Sequence, residues 1–378
     1  MPRSAASTSS VSGQAARPSD QIIRGQRAVH RACADLRRGM PVVLLGAQSL
    51  LLLPAETAGA AGLGLMSKLT QTGPVLVLAQ SRAAVLLGGS DAGVQAIALP
   101  AALLQPQALR SMADPTVAQL LPEPPVRVAA PTDSEAALAL AKLARLLPAV
   151  VVAPMASAPQ DWSALDLLSV AVEDVLAYPQ IAGANLVRVA EAAVPLEDAA
   201  DARVVAFRAP DSGIEHLAII VGRPEGAEAP LVRVHSECFT GDLLGSLRCD
   251  CGPQLRGALR RMAEDGCGVL LYLAQEGRGI GLVNKLRAYA MQDRGLDTLD
   301  ANRALGWGAD ERNFLIAATM LEQLGIPRVR LLTNNPVKVE ALAACGIEVA
   351  ERAPHRIEPN GVNDGYLSTK AARFGHLL

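Results

Sequence analysis

Three of the six cysteines in this 378-residue chain, Cys238, Cys249 and Cys251, fall within fourteen residues of one another. That spacing, Cys-x10-Cys-x-Cys, constrains the fold more than any other feature. Thiolates are soft ligands, and Zn²⁺ takes four tetrahedral donors with sulfur at about 2.3 Å. Two cysteines one residue apart can reach a single ion from a tight turn, and a third arrives from the preceding loop. The other cysteines do not extend the pattern, since Cys267 sits between two glycines, Cys345 in a helix tail and Cys33 far upstream. Three protein ligands leave a fourth position open for water, the arrangement of a catalytic zinc. The spacing also suits three buried thiols, or a structural zinc completed by His235, but the catalytic form leads. Sparse, clustered cysteines point to a reducing compartment rather than a secreted disulfide scaffold.

The length suits two domains. Hydrophobic residues make up 50% of the chain but aromatics only 3%, so the cores must be built from Ala, Leu and Val. With 35 basic against 37 acidic residues, the balance argues against a grip on nucleic acid by bulk charge and leaves room only for a local basic pocket. The longest apolar stretch, Pro41 to Ala55, has 15 residues, whereas a bilayer crossing needs about 20. It reads as two buried strands around a turn, and no membrane partner is expected. The first 200 residues carry 29 charged side chains and the remaining 178 carry 43, which suggests two domains of different character. Residues 1–24, Ser/Ala/Arg-rich at the start and without an amphipathic period, are expected to be disordered. A domain over 25–182, a linker over 183–202 and a second domain over 203–378 follow.

The expected class is α/β (α+β), with a mixed sheet flanked by helices in each domain. In the first half, 41–45, 74–79, 84–88 and 149–154 read as strands, and 134–147 and 161–179 as helices, the latter stopped by Pro179. No constellation of polar residues declares chemistry there. In the second half, 204–210, 216–222, 231–237, 268–274 and 329–334 read as strands, with helices over 253–264 and from Pro336. Around the cysteines lie Arg233, His235, Ser236, Glu237, Thr240, Asp242, Arg248, Asp250 and Gln254. Carboxylate or imidazole there can shuttle protons for an attacking water. The run Glu276-Gly277-Arg278-Gly279-Ile280-Gly281 follows a strand and could let an anion approach the backbone, although such runs are often plain turns. Asp310 and Arg312 read as the opening of a helix and, taken alone, as a solvated pair. Thr333 to Lys338 joins a strand to a helix, where open sheets bind ligands and where Thr and Lys suit a phosphate.

The runs RVHSECFTGDLLGSLRCDCGPQL (233–255), YLAQEGRGIGLVNKLRAYAMQD (272–293), DTLDAN (297–302), LGWGADER (305–312), VRLLTNNPVKVEAL (329–342) and YLSTKAARFGHLL (366–378) together resemble GTP cyclohydrolase II. The resemblance implies opening of the guanine ring of GTP to give formate, pyrophosphate and 2,5-diamino-6-(5-phosphoribosylamino)pyrimidin-4-one. It implies one zinc per subunit on Cys238, Cys249 and Cys251, and Mg²⁺ with the triphosphate. By position it assigns GTP binding to Arg233, Val234, His235, Ser236, Glu237, Gln254, Glu276, Gly277, Arg278, Thr298, Thr333 and Lys338. It assigns catalysis to Asp310 as proton acceptor, Arg312 and Tyr289. Arg312 matches a residue described as a nucleophile, but a guanidinium of such high pKa is better suited to stabilising transition-state charge. A cytoplasmic homodimer is the further implication.

Residues 25–180 resemble a worn 3,4-dihydroxy-2-butanone 4-phosphate synthase domain, through ACADLRRGMPVVLL (32–45), DSEAALALAKLARLLPAVVVAP (133–154) and DVLAYP (174–179). The acidic loop of that family is replaced by GAQSLLLLPAE (46–56), with Glu56 its only carboxylate, and its His-Thr-Glu reads Asp133-Ser134-Glu135. Without clustered carboxylates there is neither a metal site nor a base to enolise a sugar phosphate. The resemblance therefore implies an inactive domain kept for folding, dimerisation or regulation. A bifunctional enzyme, a nucleotide-sensing zinc module and a partial hydrolase that stops at a formamido product are the alternatives. Tyr289 argues against the last.

Overall fold

A computed structural model describes residues 18–70, 72–89, 92–155, 165–210, 212–357, 361–363, 368, 369, 371–373, 375 and 377. The first half contains α1 (Pro18–Arg37), β1 (Val42–Leu45), β2 (Leu50–Pro54), α2 (Ala60–Leu69), β3 (Val75–Leu78), α3 (Gln80–Leu87), β4 (Gln95–Ala98), α4 (Pro106–Ala113), β5 (Arg127–Val128), α5 (Ser134–Leu143), β6 (Ala149–Pro154), β7 (Ser169–Ala171) and α6 (Val172–Ala184). Its sheet runs β5-β4-β3-β6-β2-β1-β7, antiparallel except for the parallel β1–β7 pair. Strands β1, β2, β3 and β6 are uncharged, almost wholly Val, Leu and Ala, so both faces of the sheet are covered there. Leu44, Leu50, Leu52, Val150 and Val152 pack under α1, α5 and α6, while Val43, Leu51, Leu53, Leu76 and Val151 face the other way.

The second half contains β8 (Val187–Ala193), β9 (Arg203–Arg208), β10 (Glu215–Val221), β11 (Leu231–Ser236), α7 (Cys251–Glu264), β12 (Gly268–Leu273), α8 (Leu282–Gln292), α9 (Thr298–Ala304), α10 (Leu315–Gln323), β13 (Arg328–Leu332), α11 (Pro336–Ala344) and β14 (Glu348–Ala353). Its sheet runs β14-β13-β11-β12-β10-β9-β8 and is parallel from β14 to β12, antiparallel beyond. Helices α10 and α11 cover one face through Ala317, Leu321 and Leu342, and α7 covers the other through Ala258, Leu259 and Met262. The expected class, two mixed sheets flanked by helices, is the one found.

Several expectations need correction. Residues 84–88 belong to helix α3 and its cap Gly88, not to a strand. Ala and Leu there favour helix, and a short apolar run alone does not separate the two states. The helix expected over 161–179 is a strand at Ser169–Ala171 followed by α6, which runs through Pro179 to Ala184; residues 156–164 lie outside the described residues. Of the segment expected to be disordered, residues 1–17 lie outside the described residues, and α1 already begins at Pro18. The expected linker is largely folded, since β8 is the edge strand of the second sheet. Most of the closing run 366–378 lies outside the described residues.

The boundary between halves in sequence is not a boundary in packing. Helices α8 and α9 lay Ala288, Met291 and Ala301, with Leu305 and Trp307 behind them, into the core on one face of the first sheet. Arg287 of α8 pairs with Glu56 at 2.8 Å and Asp114 at 2.9 Å, all three largely buried.

Candidate active site

The parallel strands β11, β12 and β13 end at the same edge, and the loops that follow them enclose a cleft of about 1060 Å³ including its mouth. That is where open α/β sheets place ligands. Strand alternation sorts the end of β11. Val232 and Val234 enter the core under α10, which turns Arg233 and His235 to the opposite face and into the cleft. Val234, expected to touch a ligand, therefore has its side chain in the core. What it offers the site is its carbonyl, which accepts Lys338 Nζ at 2.7 Å.

After β11 the chain makes one wide turn at Phe239–Leu243 and returns to the start of α7, which brings the three thiols together. Their sulfurs lie within 4.8 Å of one another, with Cys238 and Cys249 3.8 Å apart. Tetrahedral donors at about 2.3 Å would sit about 3.8 Å apart, so the cluster fits a metal ion. Gly241 is required by that approach, because a Cβ there would meet Cys249 Sγ at 2.6 Å and Cys238 Sγ at 3.0 Å. His235 is not a fourth ligand: its Nε2 faces Asp242, 3.1 Å away. Asp242 also accepts from the Cys238 N–H at 2.9 Å and the Tyr272 hydroxyl at 3.0 Å, pinning the turn. Among the described residues the three cysteines form the only cluster able to hold a metal.

Lys285 was not anticipated. It projects from α8 to donate to Cys238 Sγ at 3.0 Å and Glu276 Oε1 at 2.9 Å. Burial alone would depress its ammonium, but these two bonds outweigh it and raise the pKa. Hydrogen bonds from Cys249 and Cys251, and then Lys285, hold the Cys238 thiol strongly toward thiolate. Cys251 is pushed well up by donating to its two neighbours and by burial. Glu276 also accepts the Phe239 N–H at 2.6 Å, so one carboxylate ties the thiol turn to the loop after β12. Tyr289, one helical turn beyond Lys285, carries Arg248 5.2 Å from its ring centre, and burial raises its phenol.

Arg278, Arg312, Thr333, Asn334, Asn335 and Lys338 line the same cleft. Arg312 Nε donates to Asp310 at 2.7 Å, and Asp310 stands beside it rather than on the wall. Burial would raise the Asp310 carboxyl, but Arg312 outweighs it and holds it below the usual range. Residues 310–312 precede α10 and belong to no helix or strand; they do not open a helix as expected. Arg233 is buried, donates to the Leu332 carbonyl at 2.9 Å and also bonds Gln254; burial lowers its pKa to about 10. Its Nε and the Ser236 Oγ are buried without a partner beside the cleft, the signature of atoms that await a ligand. Thr298 opens α9 and lines the cleft as well. Of the residues that the resemblance assigns, only Val234 and Asp310 do not line the cleft, and neither do Thr240, Asp242, Arg248 and Asp250 around the cysteines; Lys285, Gln292 and Asn302 join it unannounced, as do Asn334 and Asn335 within the loop from Thr333 to Lys338. Lys285 and Gln292 share the face of Tyr289 by i−4 and i+3 spacing, the one signal that could have found them.

A thiol cluster that fits a metal, set in a polar cleft at the carboxyl ends of parallel strands, defines an α/β protein with a candidate metal site in a ligand-binding cleft. Residues 187–354 match the model of the family GTP cyclohydrolase II. The GTP cyclohydrolase-2 of Azospirillum brasilense is 50% identical over 99% of this chain and 99% of its own. That of Actinobacillus succinogenes is 53% identical over 52% of this chain and 89% of its own. The chain belongs to the GTP cyclohydrolase II family. Among solved structures, a two-domain 3,4-dihydroxy-2-butanone 4-phosphate synthase from A. baumannii aligns at 20% identity over 87% of this chain and 99% of that one, with a TM-score of 0.33.

Proposed function

We propose that the chain opens the guanine ring of GTP, releasing formate and pyrophosphate and leaving 2,5-diamino-6-(5-phosphoribosylamino)pyrimidin-4-one. The observation that carries this is one cleft lined both by a three-thiol cluster and by Arg278, Arg312, Thr333 and Lys338. Cys238, Cys249 and Cys251 would hold a zinc ion. When bound, zinc supplies Lewis-acid activation of water toward the electrophilic carbon between the imidazole nitrogens of guanine. Mg²⁺ enters with the triphosphate and neutralises its charge.

The chain's own groups do the rest. Arg233 Nε and Ser236 Oγ donate to the bound nucleotide, joined by His235, Glu237, Gln254, Glu276, Gly277 and Thr298. Lys285 fixes Glu276 and keeps Cys238 anionic. Tyr289, kept protonated by burial, is placed to donate a proton near the thiols. Asp310, held as a carboxylate by Arg312, accepts a proton, while Arg312 offsets charge developing on the phosphate. The working form is a cytoplasmic homodimer.

The first half is inactive toward sugar phosphates in this reading. Glu56, the one carboxylate left in the lost acidic loop, accepts Arg287 at 2.8 Å and the Leu147 N–H at 2.8 Å. Asp133, where the family's histidine would stand, accepts the Ala47 N–H at 3.0 Å. The test is Cys249→Ser: both bound zinc and GTP consumption should fall to background. Full turnover with less than one tenth of the wild-type zinc would contradict the reading.

A further inference from the structure

The two loops that close the cleft are held from outside the second half. Helix α5 ends in a tight C-terminal turn, in which the Leu146 N–H donates to the Ala141 carbonyl at 3.0 Å and the Arg145 N–H to that of Lys142 at 2.9 Å. Such a turn puts one residue in the left-handed region, a place usually filled by glycine. Here it is Arg145, at φ +60°. Its guanidinium does what glycine could not, donating to the Gly279 carbonyl at 2.5 Å. The Arg145 carbonyl in turn accepts from Asn284 of α8 at 3.2 Å. Three residues earlier, Lys142 donates to Glu311 at 2.6 Å and lies 5.5 Å from the centre of the Trp307 ring.

The two anchored points touch each other. A Cβ on Gly279, which has φ +98°, would come within 2.6 Å of the Glu311 carbonyl oxygen. The Glu311 N–H donates to the Arg278 carbonyl at 3.0 Å. Gly279 follows Glu276, Gly277 and Arg278, and Glu311 separates Asp310 from Arg312. A strained residue kept where glycine would fit without strain points to a function for its side chain. We propose that Lys142 and Arg145 are positioning residues for the GTP-opening reaction, through which the otherwise inactive first half clamps the 276–281 and 308–312 loops against each other. This rests on the function proposed above.

The test compares full-length, zinc-loaded Arg145→Gly, Arg145→Lys and Lys142→Met proteins with the wild type. Arg145→Gly relieves the backbone and removes only the clamp, so the thermal midpoint should not fall. KM for GTP should rise about tenfold, because the loosened loop carries Glu276 to Arg278, while kcat stays within about twofold. Lys142→Met should instead lower kcat about tenfold, because its loop carries Asp310 and Arg312. Arg145→Lys should recover at least half of the loss. Hydrogen exchange at amides 277–281 and 308–312 reads the clamp without turnover and should quicken about tenfold in Arg145→Gly and Lys142→Met. Unchanged exchange overturns the proposal whatever the wild type does with GTP. So do kinetics within twofold of an active wild type, or activity lost only in step with a lower midpoint. A wild type with bound zinc and no GTP turnover, but with loops that loosen as expected, contradicts the proposed function alone.

Discussion

Gly241 shows how one missing methyl group sets the chemistry of the cleft. A Cβ there would lie 2.6 Å from Cys249 Sγ and 2.9 Å from Cys251 Cβ, so the thiols can converge only around a glycine. Gly241→Ala is expected to keep the fold by circular dichroism yet to cut bound metal to below about half and GTP turnover by at least about tenfold. Elemental analysis beside a turnover assay reads both, and full metal occupancy would show that the turn can yield. A second residue-scale effect concerns acid. Burial lowers the pKa of His216 to about 4, and its Nδ1 accepts the Ala274 N–H at 3.1 Å, a bond that protonation would destroy. The unfolded chain binds this proton near pH 6.5 and the folded chain only near 4, so stability present above 6.5 is lost as pH falls toward 4. His216→Asn, whose side-chain oxygen can take the same N–H, should flatten that part of the urea-midpoint profile. An unchanged acid slope would assign the loss to other groups.

Elements were legible where one physical rule acted alone. Strands β1, β2, β3, β6, β9, β10, β11, β12 and β13 announce themselves as short runs rich in Val, Leu, Ile and Ala, and the three thiols were found because clustered cysteines have few other uses. Strand β8 was missed because all seven of its residues are exposed, which leaves no alternation to read. Pro179 misled in the other direction: the chain carries α6 past a residue that usually stops a helix. Lys285 was missed because a lysine on a helix reads as solvated; its value lies in what β11 and β12 bring beside it. Lys285→Met should lower kcat for GTP about a hundredfold by freeing Glu276 and unbalancing Cys238, while bound zinc stays near one per chain. Unimpaired turnover would reduce Lys285 to a packing residue.

For the whole molecule, composition and charge density correctly divided the chain into two sheet-centred halves, but not how they share a core. Which sheet a helix covers is decided by tertiary packing, and no local pattern records it. Ala288, Met291, Ala301, Leu305 and Trp307 come from the second half and are buried with the first sheet. Arg287 adds a buried ion pair to Glu56 across the same boundary. The halves are therefore expected to unfold together, as a single calorimetric transition. Trp307→Ala should destabilise the molecule by about 3–5 kcal/mol without splitting that transition. Two separated transitions in the wild type would show that the shared core is weak.

The most direct measurement is a mass-spectrometric product assay of the zinc-loaded protein with Mg²⁺, given GTP in one tube and ribulose 5-phosphate in another. Formate, pyrophosphate and the diaminopyrimidine should form from GTP, and the sugar phosphate should remain intact. A formylated pyrimidine would mean that hydrolysis stops partway, and turnover of ribulose 5-phosphate would show that the first half still works. GTP left unchanged by protein carrying a full complement of zinc would contradict the reading of the cleft.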